Sequence, residues 1–410
     1  MKLSSIVALS GLLAVSEALP QQQILQRNVA KKPNFLFIMT DDQDLQLNST
    51  AYTPHILSLI KEKGTDFANH FVTTALCCPS RVSLWTGRQA HNTNVTDVRP
   101  PWGFNDNWFP VWFQDAGYNT YYTGKLMNAH SLSTYNKPFP KGFNGSDFLL
   151  DPHTYSYYNS TYQRNREPPK NYAGHYTTDV ITEKALGLLD EALESDRPFF
   201  VAVSPVAPHS NIDPNTMGTA ASIMSEPIPA PRHRHLFQGV KRTGVSWVSN
   251  LALQNQTVID YEDHYYRQRL RALQGVDELV EKLVSRLEES GEIDNTYIIY
   301  TSDNGFHIGQ HRMPPGKTTG FEEDIRVPFF IRGPGIPEGK TEDSVSTHID
   351  LVPTFFELAG LPLRDDFDGT PLPIKRQSAS ISHEHVTVEL WGTAVLEGDF
   401  SKIGKAFPAD

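Results

Sequence analysis

Cys77-Cys78-Pro79-Ser80-Arg81, followed by Thr86-Gly87-Arg88, holds the only two cysteines of a 410-residue chain. Neither thiol has a remote partner, so neither belongs to a disulfide framework elsewhere. A thiol, a turn residue, a helix-starting serine and an arginine in succession have the composition of a built anion site. On these residues alone three other readings stay open: a buried small hydrophobe, a strained vicinal disulfide and an ordinary reactive thiol.

Asp41-Asp42 and Asp303-Asn304 each follow a short apolar run. Three carboxylates and one amide oxygen are hard ligands, which suit Ca²⁺ or Mg²⁺ better than zinc. Taken singly, an Asp-Asp pair after a strand is a turn or a helix cap. Lys125 follows Gly124, Lys317 lies in a Gly- and Pro-rich stretch, and His209 ends Ser204-Pro-Val-Ala-Pro-His. The plain readings are solvated lysines, a hydrogen-bonded loop histidine and, for Arg81, a salt bridge on a helix surface.

The elements that must position these groups alternate. Phe35 to Met39 reads as a buried parallel strand, Pro54 to Lys63 as a helix and Tyr118 to Thr123 as a strand. A helix from Tyr176 to Glu194 leads into the strand Pro198 to Ser204. From Asp260 to Ser290, Leu270, Leu273, Val276, Val280, Leu283 and Leu287 keep the helical period. The strand Tyr297 to Tyr300, the strand Val327 to Ile331 and the helix Ile349 to Ala359 complete the series. The expected fold is α/β, a mainly parallel sheet with helices on both faces and its site at the carboxyl ends of the strands. Tyr135 to Tyr172, rich in Pro and Tyr, reads as an inserted loop region, and a domain boundary is placed near Leu363.

Composition narrows the function. A net charge of −11 argues against nucleic acid or an anionic membrane as the main partner. At 39% hydrophobic residues the chain can bury a large core. Lys2, the apolar run Ile6 to Val15 and Ser16-Glu17-Ala18 read as a signal peptide over residues 1–18, with a first buried helix as the alternative. No other segment is apolar enough for a membrane span. Sequons at Asn48, Asn94, Asn144, Asn159 and Asn255 support a secretory route and glycosylation there.

From Pro33 to about Pro362 the chain resembles the sulfatases. The resemblance rests on Pro33-Asn-Phe to Asp41-Asp42, on C-x-P-S-R with its downstream T-G-R, and on Gly124-Lys125. It continues in Val206-Ala-Pro-His209, Ser302-Asp303-Asn304-Gly305, His307 to Gln310, Lys317, Asp324 to Pro328 and Arg332-Gly-Pro-Gly335. It implies an alkaline-phosphatase-like fold, a catalytic domain over 33–362 and the start of a small C-terminal subdomain over 363–410, opening at Glu384 to Trp391. It also implies that Cys77, not the variable Cys78, is oxidised to formylglycine by a formylglycine-generating enzyme during secretion. One Ca²⁺ would be held by Asp41, Asp42, Asp303 and Asn304, with the oxygen of residue 77 beside it. Arg81 would fix the aldehyde hydrate and neutralise charge beside the metal, and Lys125, His209 and Lys317 would bind the sulfuryl group, His209 serving as acid for the departing alcohol. The implied reaction is hydrolysis of aryl or sugar sulfate esters by a hydrated aldehyde, in the secretory lumen or outside the cell. Two alternatives accompany it: a phosphate or phosphonate ester hydrolase on the same fold, and a silent binding protein if Cys77 stays a thiol. One departure stands out. Many arylsulfatases have histidine where this chain has Met127. Gly124-Lys-Leu-Met-Asn128 looks instead like the glucosamine-6-sulfatase branch, leaving His307 or His311 as a second imidazole.

Overall fold

A computed structural model describes residues 31–98, 106–219, 221–242, 254–374, 385–391 and 395–400. The leader expected at residues 1–18 lies outside them. Strand β1, Asn34–Thr40, sets the plan of the sheet. Its alternation sends Phe35, Phe37 and Met39 to one face and Leu36 and Ile38 to the other, and both faces are covered. That double burial explains an uninterrupted apolar run.

Nine more strands join it: β2 (Thr65–Phe67), β3 (Asn119–Gly124), β4 (Gly145–Leu149), β5 (Asn159–Arg164), β6 (Lys170–Ala173), β7 (Phe199–Ser204), β8 (Thr296–Ser302), β9 (Phe329–Arg332) and β10 (Lys340–Glu342). Their order is β10-β2-β9-β8-β1-β7-β3-β4-β5-β6. The five central strands, β8-β1-β7-β3-β4, are parallel. Strands β5 and β6 on one flank and β9 on the other run antiparallel to their neighbours. Register matters for the site: Thr40 lies opposite Ser302 and Gly124 opposite Ser204. The chain therefore leaves β1 and β8 at one level, and likewise β3 and β7.

Helices α3 (Thr177–Leu193) and α4 (Gln256–Glu289), with α1 (Cys77–Thr86), α2 (Phe109–Asp115) and α5 (Leu351–Leu358), cover the sheet. Ile181, Leu188, Leu273, Val276 and Val280 from α3 and α4 pack on the Leu36 face. Val82, Trp85, Phe109, Phe113 and Phe355 from α1, α2 and α5 pack on the Phe35 face. Each such side chain contributes about 1.5–3 kcal/mol on burial. Both cysteines are free thiols, so the packed core takes the place of cross-links.

The expected loop region Tyr135 to Tyr172 is a correction, because it contributes β4, β5 and β6. Their sequences, GSDFL, NSTYQR and KNYA, are too polar to announce themselves as strands. Pairing with β3 and with one another, not side-chain pattern, makes them so. The helix expected from Pro54 to Lys63 is α-helical only over Pro54–Ile56 and passes into a π turn over Leu57–Lys61. Helix α4 begins at Gln256, four residues before the expected start, where the Asn255 side chain accepts from Val258 N at 3.0 Å. Residues 385–391 form no regular element, whereas Val395–Leu396 pairs with Gly316–Lys317. Asn48, Asn94, Asn144 and Asn255 are exposed, and Asn159, opening β5, is half-buried. Among the described residues no helix is long and apolar enough to cross a membrane.

Candidate active site

The ends of β1 and β8 bring the expected carboxylates together. Asp303 N donates to Thr40 O at 3.1 Å, and Asp42 N donates to Asp303 Oδ1 at 3.0 Å. Asn304 Nδ2 donates to Asp42 Oδ1 at 2.8 Å. Asp41, Asp42, Asp303 and Asn304 are all fully buried. Carboxylates this enclosed need cationic partners. They have them: Lys125 Nζ is 2.5 Å from Asp41 Oδ2, Lys317 Nζ is 2.6 Å from Asp42 Oδ1, and Arg81 Nε is 2.8 Å from Asp303 Oδ2.

Cys77 opens helix α1, with Pro79 in the first turn, where its missing N–H costs no helical bond. The helix closes at Gly87, whose φ of +65° and crowding by the Phe367 ring require glycine; this accounts for the T-G-R half of the signature. Arg81 lies one turn along the same helix from Cys77. Its guanidinium donates to Lys125 O at 2.5 Å and Ser204 Oγ at 2.8 Å, in addition to Asp303. The reading of Arg81 as a surface salt bridge is excluded by its complete burial. The Cys77 thiol donates toward Asp41 Oδ1 at 3.5 Å and accepts from Lys317 Nζ at 3.1 Å. Cys78 turns into the aromatic core, and the two thiols form no disulfide.

Gly124 sets Lys125. Its φ is +101°, and a Cβ there would fall 2.1 Å from Ser204 O, so β3 can end against β7 only with glycine. Lys125 N then donates to Ser204 O at 3.0 Å. His209, on the loop after β7, has Nδ1 2.9 Å from Ser210 O and Nε2 3.5 Å from Asp42 Oδ2. Asp41, Asp42, Cys77 and His209 present ligand atoms within 4.8 Å of one another.

Burial raises the Asp41 and Asp42 carboxyls, but Lys125, Lys317, His209 and Arg81 outweigh it and hold both below the usual range. Burial drives the Cys77 thiol well up, against the pull of Lys125 and Lys317, and pushes Cys78 up to about 12. Cys77 as a thiol is thus a poor nucleophile despite its cationic neighbours. The donor set fits a hard divalent cation: three carboxylates converge, and Asn304 Oδ1, wholly buried, has no hydrogen-bond partner among the described residues.

The structure also separates residues that the sequence left together. Met127 is buried in the aromatic core. His307 Nδ1 pairs with Asp324 Oδ1 at 2.8 Å and His311 Nε2 with Glu323 at 3.3 Å, so each imidazole is engaged with another carboxylate. His209 is the imidazole that meets the carboxylate cluster.

Two residues escaped the sequence. Glu397 is buried, its carboxylate accepting from Ser210 Oγ and, at 3.2 Å, from Tyr265 OH. Arg269 of α4 donates to Asp42 O, to Asp44 Oδ1 at 3.2 Å and to Pro208 O at 3.3 Å, and lies 4.1 Å over the Phe306 ring. One guanidinium therefore ties the loops after β1, β7 and β8. Nothing in an amphipathic helix marks it except an arginine on the buried face. Arg269→Met should destabilise the protein by about 3–5 kcal/mol, since Asp44 is left charged and buried without that partner. Arg269→Lys, which keeps charge but not the fork, should lose less. Denaturant midpoints of the two variants check this, and equal stability of Arg269→Met and the parent would refute it.

The sulfatase family profile matches residues 33–361. An arylsulfatase of Chlamydomonas reinhardtii is 42% identical over 378 residues, covering 83% of this chain and 58% of that protein. The human N-acetylglucosamine-6-sulfatase is 34% identical over 387 residues, covering 88% of this chain and 68% of that one. A solved structure described as in complex with its substrate, D-glucosamine-2-N,6-O-disulfate, superposes with a TM-score of 0.71 at 26% identity, over 83% of this chain and 79% of its own. The chain thus spans little more than half the length of the algal relative. The match over residues 33–361, on a mainly parallel sheet of this topology, makes the chain a member of the sulfatase family.

Proposed function

We propose that the protein is a secreted, calcium-dependent hydrolase of aryl or sugar sulfate esters. The observation that carries this is the convergence on Cys77 of three buried carboxylates, three buried cations and one imidazole. The six charged groups balance, so a divalent cation would leave the centre at about +2, suited to an anionic ester even on an acidic protein.

Asp41, Asp42, Asp303 and Asn304 would hold Ca²⁺, which supplies Lewis-acid charge stabilisation. Formylglycine at position 77, made by a formylglycine-generating enzyme, supplies an oxygen nucleophile in place of the inert thiol. Arg81, fixed by Asp303, Ser204 and the Lys125 carbonyl, holds residue 77 against the carboxylates. Lys125, Lys317 and His209 bind sulfuryl oxygens, stabilising the charge that builds there. His209 orients through the contact of Nδ1 with Ser210 O and holds a proton at Nε2 for the departing alcohol. Asp303 would serve as the proton acceptor for residue 77. We further assign glycans to the five sequon asparagines, a signal peptide to residues 1–18, the catalytic domain to 33–362 and the start of a C-terminal subdomain to 363–410.

Turnover of a matched aryl sulfate and aryl phosphate by protein secreted from a host that makes formylglycine tests the reading. Sulfate should be preferred, and a clear preference for phosphate would reject it.

A further inference from the structure

Tyr155 carries no charge but touches two of the groups assigned to the sulfuryl oxygens. Its ring stacks on the His209 imidazole, with centroids 4.2 Å apart and planes at 28°. The Lys125 ammonium lies 4.9 Å from the centroid of the same ring. Lys125 follows β3 and His209 follows β7, so one side chain spans two strand ends. The ring is itself fixed. Asn128 Nδ2 donates to Tyr155 OH at 2.8 Å, and Ile212 N donates to Tyr155 O at 3.0 Å. Asn128 stands next to Met127, which faces the core; at this turn it is Asn128 that reaches the site, through Tyr155.

We infer that Tyr155, held by Asn128, is a positioning residue that sets Lys125 and His209 for the sulfuryl group. The ring does the work, not acid–base chemistry of the phenol. An aromatic face attracts an ammonium more strongly where water is excluded, and Lys125 is fully buried. Stacking fixes the plane of the imidazole, while the contact with Ser210 O fixes its Nδ1 side. Removing the ring frees both groups at once. Neither then needs to leave the site for sulfate to lose its two-point grip.

The inference rests on the sulfate-ester reading, and the experiment separates the two. Tyr155→Leu, Tyr155→Phe and Asn128→Ala are compared with the parent for kcat and KM on an aryl sulfate, and for thermal stabilisation by inorganic sulfate. Tyr155→Leu should lose roughly 10- to 100-fold in kcat/KM, mostly in kcat, together with most of the stabilisation by sulfate. Tyr155→Phe should rescue most of both, and Asn128→Ala should fall between, losing about 3- to 10-fold. Tyr155→Leu within threefold of the parent, with the same response to sulfate, overturns the inference. So does a Tyr155→Phe as impaired as Tyr155→Leu, which would assign the role to the hydroxyl. Should Tyr155→Leu not fold, Asn128→Ala decides: parental rate and parental sulfate response overturn the inference, and loss of both supports it. A parent that turns over no sulfate ester rejects the functional reading instead.

Discussion

Replacing Cys77 with alanine is expected to bring turnover of sulfate esters to background, a loss of at least about 10⁴-fold, as for removal of a covalent nucleophile. Cys78→Ala should keep the reaction. The two thiols are neighbours in sequence but not in environment. Cys77 Sγ meets Lys317 Nζ at 3.1 Å and Asp41 Oδ1 at 3.5 Å, while Cys78 packs in the aromatic cluster with Trp85 and Phe37. Truncating Cys78 removes one buried sulfur and should cost about 1–2 kcal/mol of stability. Rates of the two variants check the pair, and a digest of the parent shows which residue is modified. A parent that is active with both residues as cysteine would overturn the assignment. So would a Cys77→Ala protein that retains its rate. Burial drives the Cys77 thiol well up in spite of two lysines, so charge alone does not activate it.

Much of this site was legible because its chemistry is local in sequence. Cys77, Pro79, Ser80 and Arg81 share one helix, and Asp303 with Asn304 share one strand end. Strands β1, β7 and β8 announced themselves by apolar runs that bury both faces. The rest depends on contacts that no short window contains. Strands β4 to β6 are polar and become strands only by pairing in series beyond β3. Arg269 acts across 227 residues on the Asp42 carbonyl, and Glu397 across 187 on Ser210. Tyr155 lies in the stretch that the sequence presents as loop, and its role with Asn128 appears only once His209 lies against the ring.

Stripping the protein with a strong chelator should abolish turnover, and Ca²⁺ should restore it. The carboxylates are the reason. Asp41, Asp42 and Asp303 are fully buried within one cluster, and at about 4 Å each could attract a unit charge by about 4 kcal/mol at an effective dielectric of 20. In the protein alone Lys125, Lys317 and Arg81 meet that charge, but two of these are the groups assigned to sulfate. A divalent cation would take over part of the carboxylate charge and release the lysines toward substrate. Asp41 and Asp42 are held ionised by these cations together with His209, so at neutral pH no proton competes for them. Cation at about 100 times its dissociation constant should add about 2.7 kcal/mol of stability, visible as a raised Tm in catalytically dead Cys77→Ala as well. Asp303→Asn should weaken cation binding by roughly 10²- to 10³-fold, because it removes one full charge from the set. Full activity after exhaustive chelation, with no response of Tm to added Ca²⁺, would mean that the lysines alone neutralise these carboxylates during turnover.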